Sequence, residues 1–125
     1  MADRQKVVAV IGASSDRQKY GNRAVRAFQR QGYTVVPISP REPEIEGLKA
    51  YRSVLDVPGP IDMATFYVPP AMGMRVMAEV AQKKIPVVWL NPGAESDDLI
   101  RLARELKIEP VVACSIRGIG EDPHA

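Results

Sequence analysis

The chain has one cysteine and one histidine in 125 residues, and only 6% of it is aromatic. A lone Cys114 can neither close an intramolecular disulfide nor build a cysteine-rich zinc site. The only histidine, His124, lies in the tail, so a metal centre would need carboxylates alone, and none cluster suggestively. No run approaches the ~18 apolar residues of a membrane span. The opening MADRQK leads straight into an apolar run, without the leader pattern that would come first in a secreted protein, so the cytoplasm is the expected compartment. Charge of one sign is missing too. With 17 basic and 15 acidic residues the net charge is +2, too little to imply nucleic acid or an anionic membrane as partner.

Several motifs are also absent. Neither the dinucleotide fingerprint G-x-G-x-x-G nor the phosphate loop G-x-x-x-x-G-K-[ST] occurs. No nucleophile elbow and no paired-carboxylate spacing appears, so nothing points to a catalyst. There is no internal repeat, low-complexity tract or linker. The length fits one domain, expected over residues 1–125, with a core at about 6–115 and a loose tail near 117–125.

What is present is a series of short, nearly continuous β-rich runs: 7–11, 34–38, 63–68, 87–90 and 110–113. Unbroken apolar runs mark strands covered on both faces, as in a parallel sheet packed by helices. Pro37 weakens the second run slightly, because it removes one ladder donor. Helical patterns fill the gaps. Residues 22–31 carry Val25 and Phe28 on one face and stop at Gly32. Residues 71–84 carry Met74, Met77, Val80 and Ala81, and the internal methionines read as core. Ser96-Asp97-Asp98 caps a third helix with Leu99, Ile100, Leu102, Ala103 and Leu106 on its apolar face. Residues 53–56 add a short helical turn. This alternation predicts a three-layer, Rossmann-like α/β domain with a five-stranded parallel sheet in the order 3-2-1-4-5. Ligands of such sheets settle beyond the carboxyl ends of the strands, so four loops matter.

After the first strand, Gly12 allows a sharp turn, and Ser14 and Ser15 offer hydroxyls beside backbone N–H groups. The positive end of the following helix points back at them, which suits phosphate; the alternative is a glycine serving only the turn. Arg17, Lys19, Arg23, Arg26 and Arg30 fall in the same stretch, either for an anionic ligand or as solvated helix charges. After the second strand come Ser39-Pro40-Arg41, where an NAD site would show Asp or Glu. An arginine there suits a phosphorylated ribose, that of NADP or of coenzyme A, and disfavours plain NAD. After the third strand, Tyr67-Val68-Pro69-Pro70 forms an apolar ledge, or simply starts a helix. After the fourth, Asn91-Pro92-Gly93 reaches the same rim, while Trp89 reads as core.

These loops together resemble the small bacterial CoA-binding proteins, a stand-alone CoA-binding Rossmann domain. They are also similar to the N-terminal domain of the succinyl-CoA synthetase alpha subunit. The resemblance is carried by V-A-V-I-G-A-S at 8–14, Y-G-N-R-A-V at 20–25 and Q-G-Y-T-V-V-P-I-S-P at 31–40. Y-V-P-P at 67–70, V-V-W-L-N-P-G at 87–93 and A-C-S at 113–115 complete it. It implies that Gly12, Ala13, Ser14 and Ser15 take CoA phosphates; Lys19, Asn22 and Arg23 at the helix start are further candidates, although the longer first loop leaves Arg17 and Lys19 without a direct counterpart in the synthetase. It also implies contacts from Ile38, Pro40 and Arg41, from Tyr67, Val68 and Pro69, and from Asn91 and Pro92. The chain departs from the family at Ser39, where Asn is common, and at Val112-Ala113-Cys114, where Asp-Arg-Cys is common. The synthetase's catalytic phosphohistidine belongs to a later domain not matched here.

The expected function is therefore non-catalytic binding of coenzyme A or an acyl-CoA, as carrier, sensor or regulatory module. The rivals are an NADP-binding, reductase-like domain and a degenerate Rossmann interaction protein. A second copy of the chain or another protein is the open partner. Cys114, at the end of the fifth strand, reads as a buried, inert thiol.

Overall fold

A computed structural model describes residues 5–124. Strands β1 (Val7–Ile11), β2 (Thr34–Ile38), β5 (Met63–Phe66), β6 (Val87–Leu90) and β7 (Glu109–Val112) form one sheet. Its order is β2-β1-β5-β6-β7, with every neighbouring pair parallel. Helix α1 (Tyr20–Arg30) covers one face, and α2 (Pro70–Gln82) and α3 (Asp97–Glu105) cover the other. A single 3-10 turn, Val54–Asp56, packs beside α2.

The two layers of core follow from the period of the strand. On β1, Val8 and Val10 pack with Ala24, Val25 and Phe28 of α1. Ala9 and Ile11 point the other way, into the layer of Met77, Val80, Leu99 and Ala103. Side chains alternate between faces along a strand, so a run that is apolar at every position needs helices on both sides. Pro37 is tolerated because β2 has only a rudimentary neighbour on its outer edge.

Counted in chain order the five strands read 2-1-3-4-5, and the expected 3-2-1-4-5 pattern fits once a further position beyond β2 is numbered, which makes β7 the sixth. Beyond β2, Tyr51 makes a parallel bridge with Ile38, and this bridge takes third place. Met63–Phe66, expected as the third strand, is then the fourth and lies beside β1, with Phe66 opposite Ile11. Burial explains the exchange. Ala64, Thr65 and Phe66 are fully buried, and only a central slot shields a strand on every side. The sheet thus reverses its direction of growth between β1 and β5, and the loops after these two strands become neighbours.

Between β2 and β5 the chain makes a hairpin that periodicity did not reveal, β3 (Glu44–Ile45) and β4 (Leu48–Lys49). Its two turn residues, Glu46 and Gly47, have φ of 50° and 78°, the left-handed geometry of a tight two-residue hairpin. The readable signal was Glu46-Gly47 between the pair Glu44-Ile45 and the pair Leu48-Lys49.

Three expectations on exposure change. Met72 and Met74 are 48% and 37% exposed on α2 and Leu106 is 38% exposed, whereas Met77 is fully buried and Met63 packs partly buried against the core. The tail is not loose: after the short helix α4 (Ser115–Gly118), it lies along α1. Glu121 pairs with Arg30 at 2.8 Å, and the Pro123 carbonyl accepts a hydrogen bond from the Arg23 guanidinium at 3.0 Å. Trp89 is half-buried beneath Gly118, where an added Cβ would lie 2.6 Å from the ring.

Candidate functional site

Two glycines bring the first turn and α1 together. Gly12, at φ 90°, leaves β1 so close to the next loop that a Cβ would stand 2.7 Å from the Tyr67 carbonyl oxygen. Gly21, in the first turn of α1, approaches more closely still: its Cβ would lie 2.1 Å from the Gly12 carbonyl oxygen. The Ile38 carbonyl accepts both the Gly12 and Ala13 N–H groups at 3.2 Å, tying the turn to the end of β2. No side chain caps α1, and its first turn has no acidic residue. By contrast α3 is capped by the Ser96 hydroxyl at the Leu99 N–H and followed by Asp97 and Asp98. The positive end of α1 is therefore left without an anion from its own element.

In front of that end lies a cleft of about 730 Å³. Gly12, Ala13, Ser14, Ser15 and Lys19 line one wall, and Pro40 and Arg41 a second. Tyr67, Val68 and Pro69 form a third, with Pro92 beside them. Lys19 and Arg41 make no salt bridge among the described residues, so two cations border the opening.

Four other residues from the same loops make structural contacts and do not line this cleft. Asn22 is fully buried and does not line the cleft. Its amide donates to the Ser14 carbonyl at 2.9 Å and to Glu46 at 3.0 Å, and its oxygen accepts from Arg26 at 2.8 Å. It therefore locks the turn, α1 and the hairpin together. Arg23 is turned toward the tail and over the Tyr20 ring. Ile38 contributes its backbone carbonyl, with its side chain in the core. Asn91 is buried: its amide donates to Thr65 at 2.7 Å and to the Phe66 carbonyl at 2.8 Å, and its oxygen accepts the Ser115 N–H at 2.8 Å. The basic stretch separates in the same way, with Arg17 paired to Glu46 at 3.5 Å and Arg30 to Glu121.

Tyr20, Gly21, Ser39, Glu42, Gly93 and Ala94 also line the cleft; the sequence reading names Tyr20, Gly21, Ser39 and Gly93 only as parts of their motifs and assigns no contact to Glu42 or Ala94. Glu42 matters most. The β2 loop does carry an acid, three residues beyond Ser39, and its carboxylate accepts the Ser15 N–H at 3.0 Å. The Ser15 hydroxyl, then its N–H, holds Glu42 below the ordinary carboxylate range. No one-dimensional pattern would pair positions 15 and 42; the adjacency of β1 and β2 does. Tyr67 shares a hydrogen bond of 3.0 Å with Ser115, whose hydroxyl also meets Thr65 at 2.7 Å. Burial pushes the Tyr67 hydroxyl up to about 12, so it stays protonated.

The parallel sheet, helices on both faces and a cleft across the first turn define a Rossmann-like α/β domain. The chain belongs to the CoA binding domain family, whose sequence model matches residues 6–117. It is 38% identical over 88 residues to the alpha subunit of ADP-forming acetate–CoA ligase II of Pyrococcus furiosus, covering 69% of this chain and 19% of that subunit. It is 28% identical over 102 residues to protein YneT of Bacillus subtilis, covering 82% of this chain and 76% of YneT. Among solved structures, a conserved hypothetical protein of Pyrococcus furiosus superposes with a TM-score of 0.83 at 33% identity. That match covers 92% of this chain and 99% of the other. The chain spans about a fifth of the length of the ligase subunit it matches. No helix among the described residues is long and apolar enough to cross a membrane.

Proposed function

We propose that the cleft binds coenzyme A or an acyl-CoA without transforming it, and that the chain acts as a carrier, sensor or regulatory module in the cytoplasm. The observation that carries this reading is the meeting of three loops at one cleft. The uncapped end of α1 and the Gly12–Ser15 turn suit a diphosphate. Arg41 and Lys19 stand at the rim for a ribose phosphate, and Tyr67, Val68 and Pro69 offer an apolar wall for adenine or pantetheine. Membership of the CoA binding domain family and the CoA ligase relatives support the same ligand. A binding role fits the chemistry of the lining. Tyr67 is held protonated and committed to Ser115, and Glu42 is held ionised against Ser15, so neither is poised as an acid or base near neutral pH.

Calorimetric titration with CoA, dephospho-CoA, NADPH and NAD tests the reading. CoA is expected to bind tightest, and native mass spectrometry of the purified protein to show a CoA adduct. NADPH binding as tightly as CoA would overturn it in favour of the NADP reading. Failure of all four ligands to bind would favour an interaction protein.

A further inference from the structure

Tyr20, Tyr67 and Pro92 line the main cleft and also a smaller cavity of about 220 Å³ beyond the ends of β6 and β7. Asn91, Cys114, Arg117, Pro123 and His124 complete the smaller cavity, which thus shares a wall with the cleft. Cys114 is half-buried on this wall and not sealed in the core. The polar groups of the cavity divide into two sets. The Asn91 amide is spent on Thr65, Phe66 and Ser115, and the Tyr67 hydroxyl on Ser115. The Arg117 guanidinium has no hydrogen bond or ion pair among the described residues. Among the described residues no carboxylate lines the cavity.

We propose that this cavity receives the acyl end of an acyl-CoA seated in the main cleft, and that Arg117 selects acyl chains ending in a carboxylate. The proposal rests on the CoA reading above and names the class of ligand within it: thioesters of short dicarboxylic acids. The pantetheine arm is long and narrow, and a path past Tyr67 and Pro92, which border both spaces, would carry it from cleft to cavity. The space suits a short chain rather than a fatty one. Tyr67, Pro92 and Pro123 supply apolar walls, and Arg117, exposed at the edge of the cavity, presents its charge to a carboxylate entering there. The planar guanidinium fork matches both oxygens of a carboxylate.

The test is calorimetric titration of the wild-type protein and of Arg117→Gln with CoA, acetyl-CoA and succinyl-CoA. Wild type is expected to bind succinyl-CoA about tenfold more tightly than acetyl-CoA, a difference of about 1.4 kcal/mol. Arg117→Gln is expected to erase that difference while its affinity for CoA and its thermal midpoint stay at wild-type values. The inference is overturned if wild type binds CoA but shows no preference for succinyl-CoA, or if the preference survives Arg117→Gln. If wild type binds none of the three, the CoA reading itself fails and the inference falls with it.

Discussion

The Ser15 N–H donates to the Glu42 carboxylate across 3.0 Å, so the chain sets one of its own anions against the turn expected to take phosphate. An incoming phosphate must displace that carboxylate and tolerate its charge. Glu42→Gln is therefore expected to raise CoA affinity severalfold, with the gain shrinking in high salt because the repelling charge is exposed. Unchanged or weaker binding by the glutamine variant would show that Glu42 does not compete.

The same contact has a pH signature. Hydrogen bonds from Ser15 lower the Glu42 pKa, so their stabilising effect is present above the unfolded carboxylate value and is lost as pH falls through the folded one. The Ser15 amide resonance should therefore titrate with a midpoint below 4.5, the ordinary value for the group. A midpoint at or above that value would contradict the hydrogen bond.

Arg41 stands at the rim with no salt bridge among the described residues, where a ribose phosphate would reach it. Arg41→Ala should weaken CoA roughly tenfold, in line with about 1.5 kcal/mol for a hydrogen bond to a charged group. Dephospho-CoA should lose much less. Equal losses for the two ligands in parallel titrations would remove the 3′-phosphate from Arg41.

Gly21→Ala directs a Cβ at the Gly12 carbonyl, 2.1 Å away, and both partners are backbone. No side chain can turn aside to make room. Destabilisation of about 1–3 kcal/mol is expected in urea, together with weaker CoA binding, since the same turn lines the cleft. Wild-type stability in this variant would mean that α1 slides freely along β1.

Asn91→Ala would strand the buried Ser115 N–H and take a donor from the Phe66 carbonyl, while the Thr65 hydroxyl keeps the Ser115 hydroxyl. A buried group left unsatisfied costs about 1–3 kcal/mol, so a loss of about that size is expected from denaturant midpoints. If the variant keeps its stability but loses CoA binding, Asn91 is a ligand contact and not a pin.

Much of the layer architecture was legible in the runs themselves. Val7–Ile11 is apolar at every position and Met63–Phe66 at all but Thr65, and a strand of that kind must be covered on both faces. The turn at Gly12 was legible as well, because a strand that ends in glycine before hydroxyl residues and a helix has few geometries open to it. The hairpin at Glu44–Lys49 was not, since strands of two residues have no period to read.

The sequence by itself determined the set of loops that meet at the carboxyl edge, because each follows directly on a strand whose apolar run is visible. It did not determine which residues of those loops face the cleft. Asn22, Arg23, Ile38 and Asn91 look like ligand groups in one dimension, yet the fold needs them to satisfy buried backbone groups or to dock the tail. Glu42 looks incidental but lies on Ser15. Only the tertiary structure decides such matters. A polar side chain bonds to whatever the packing of strands and helices sets within about 3 Å of it, and that neighbour is often tens of residues away.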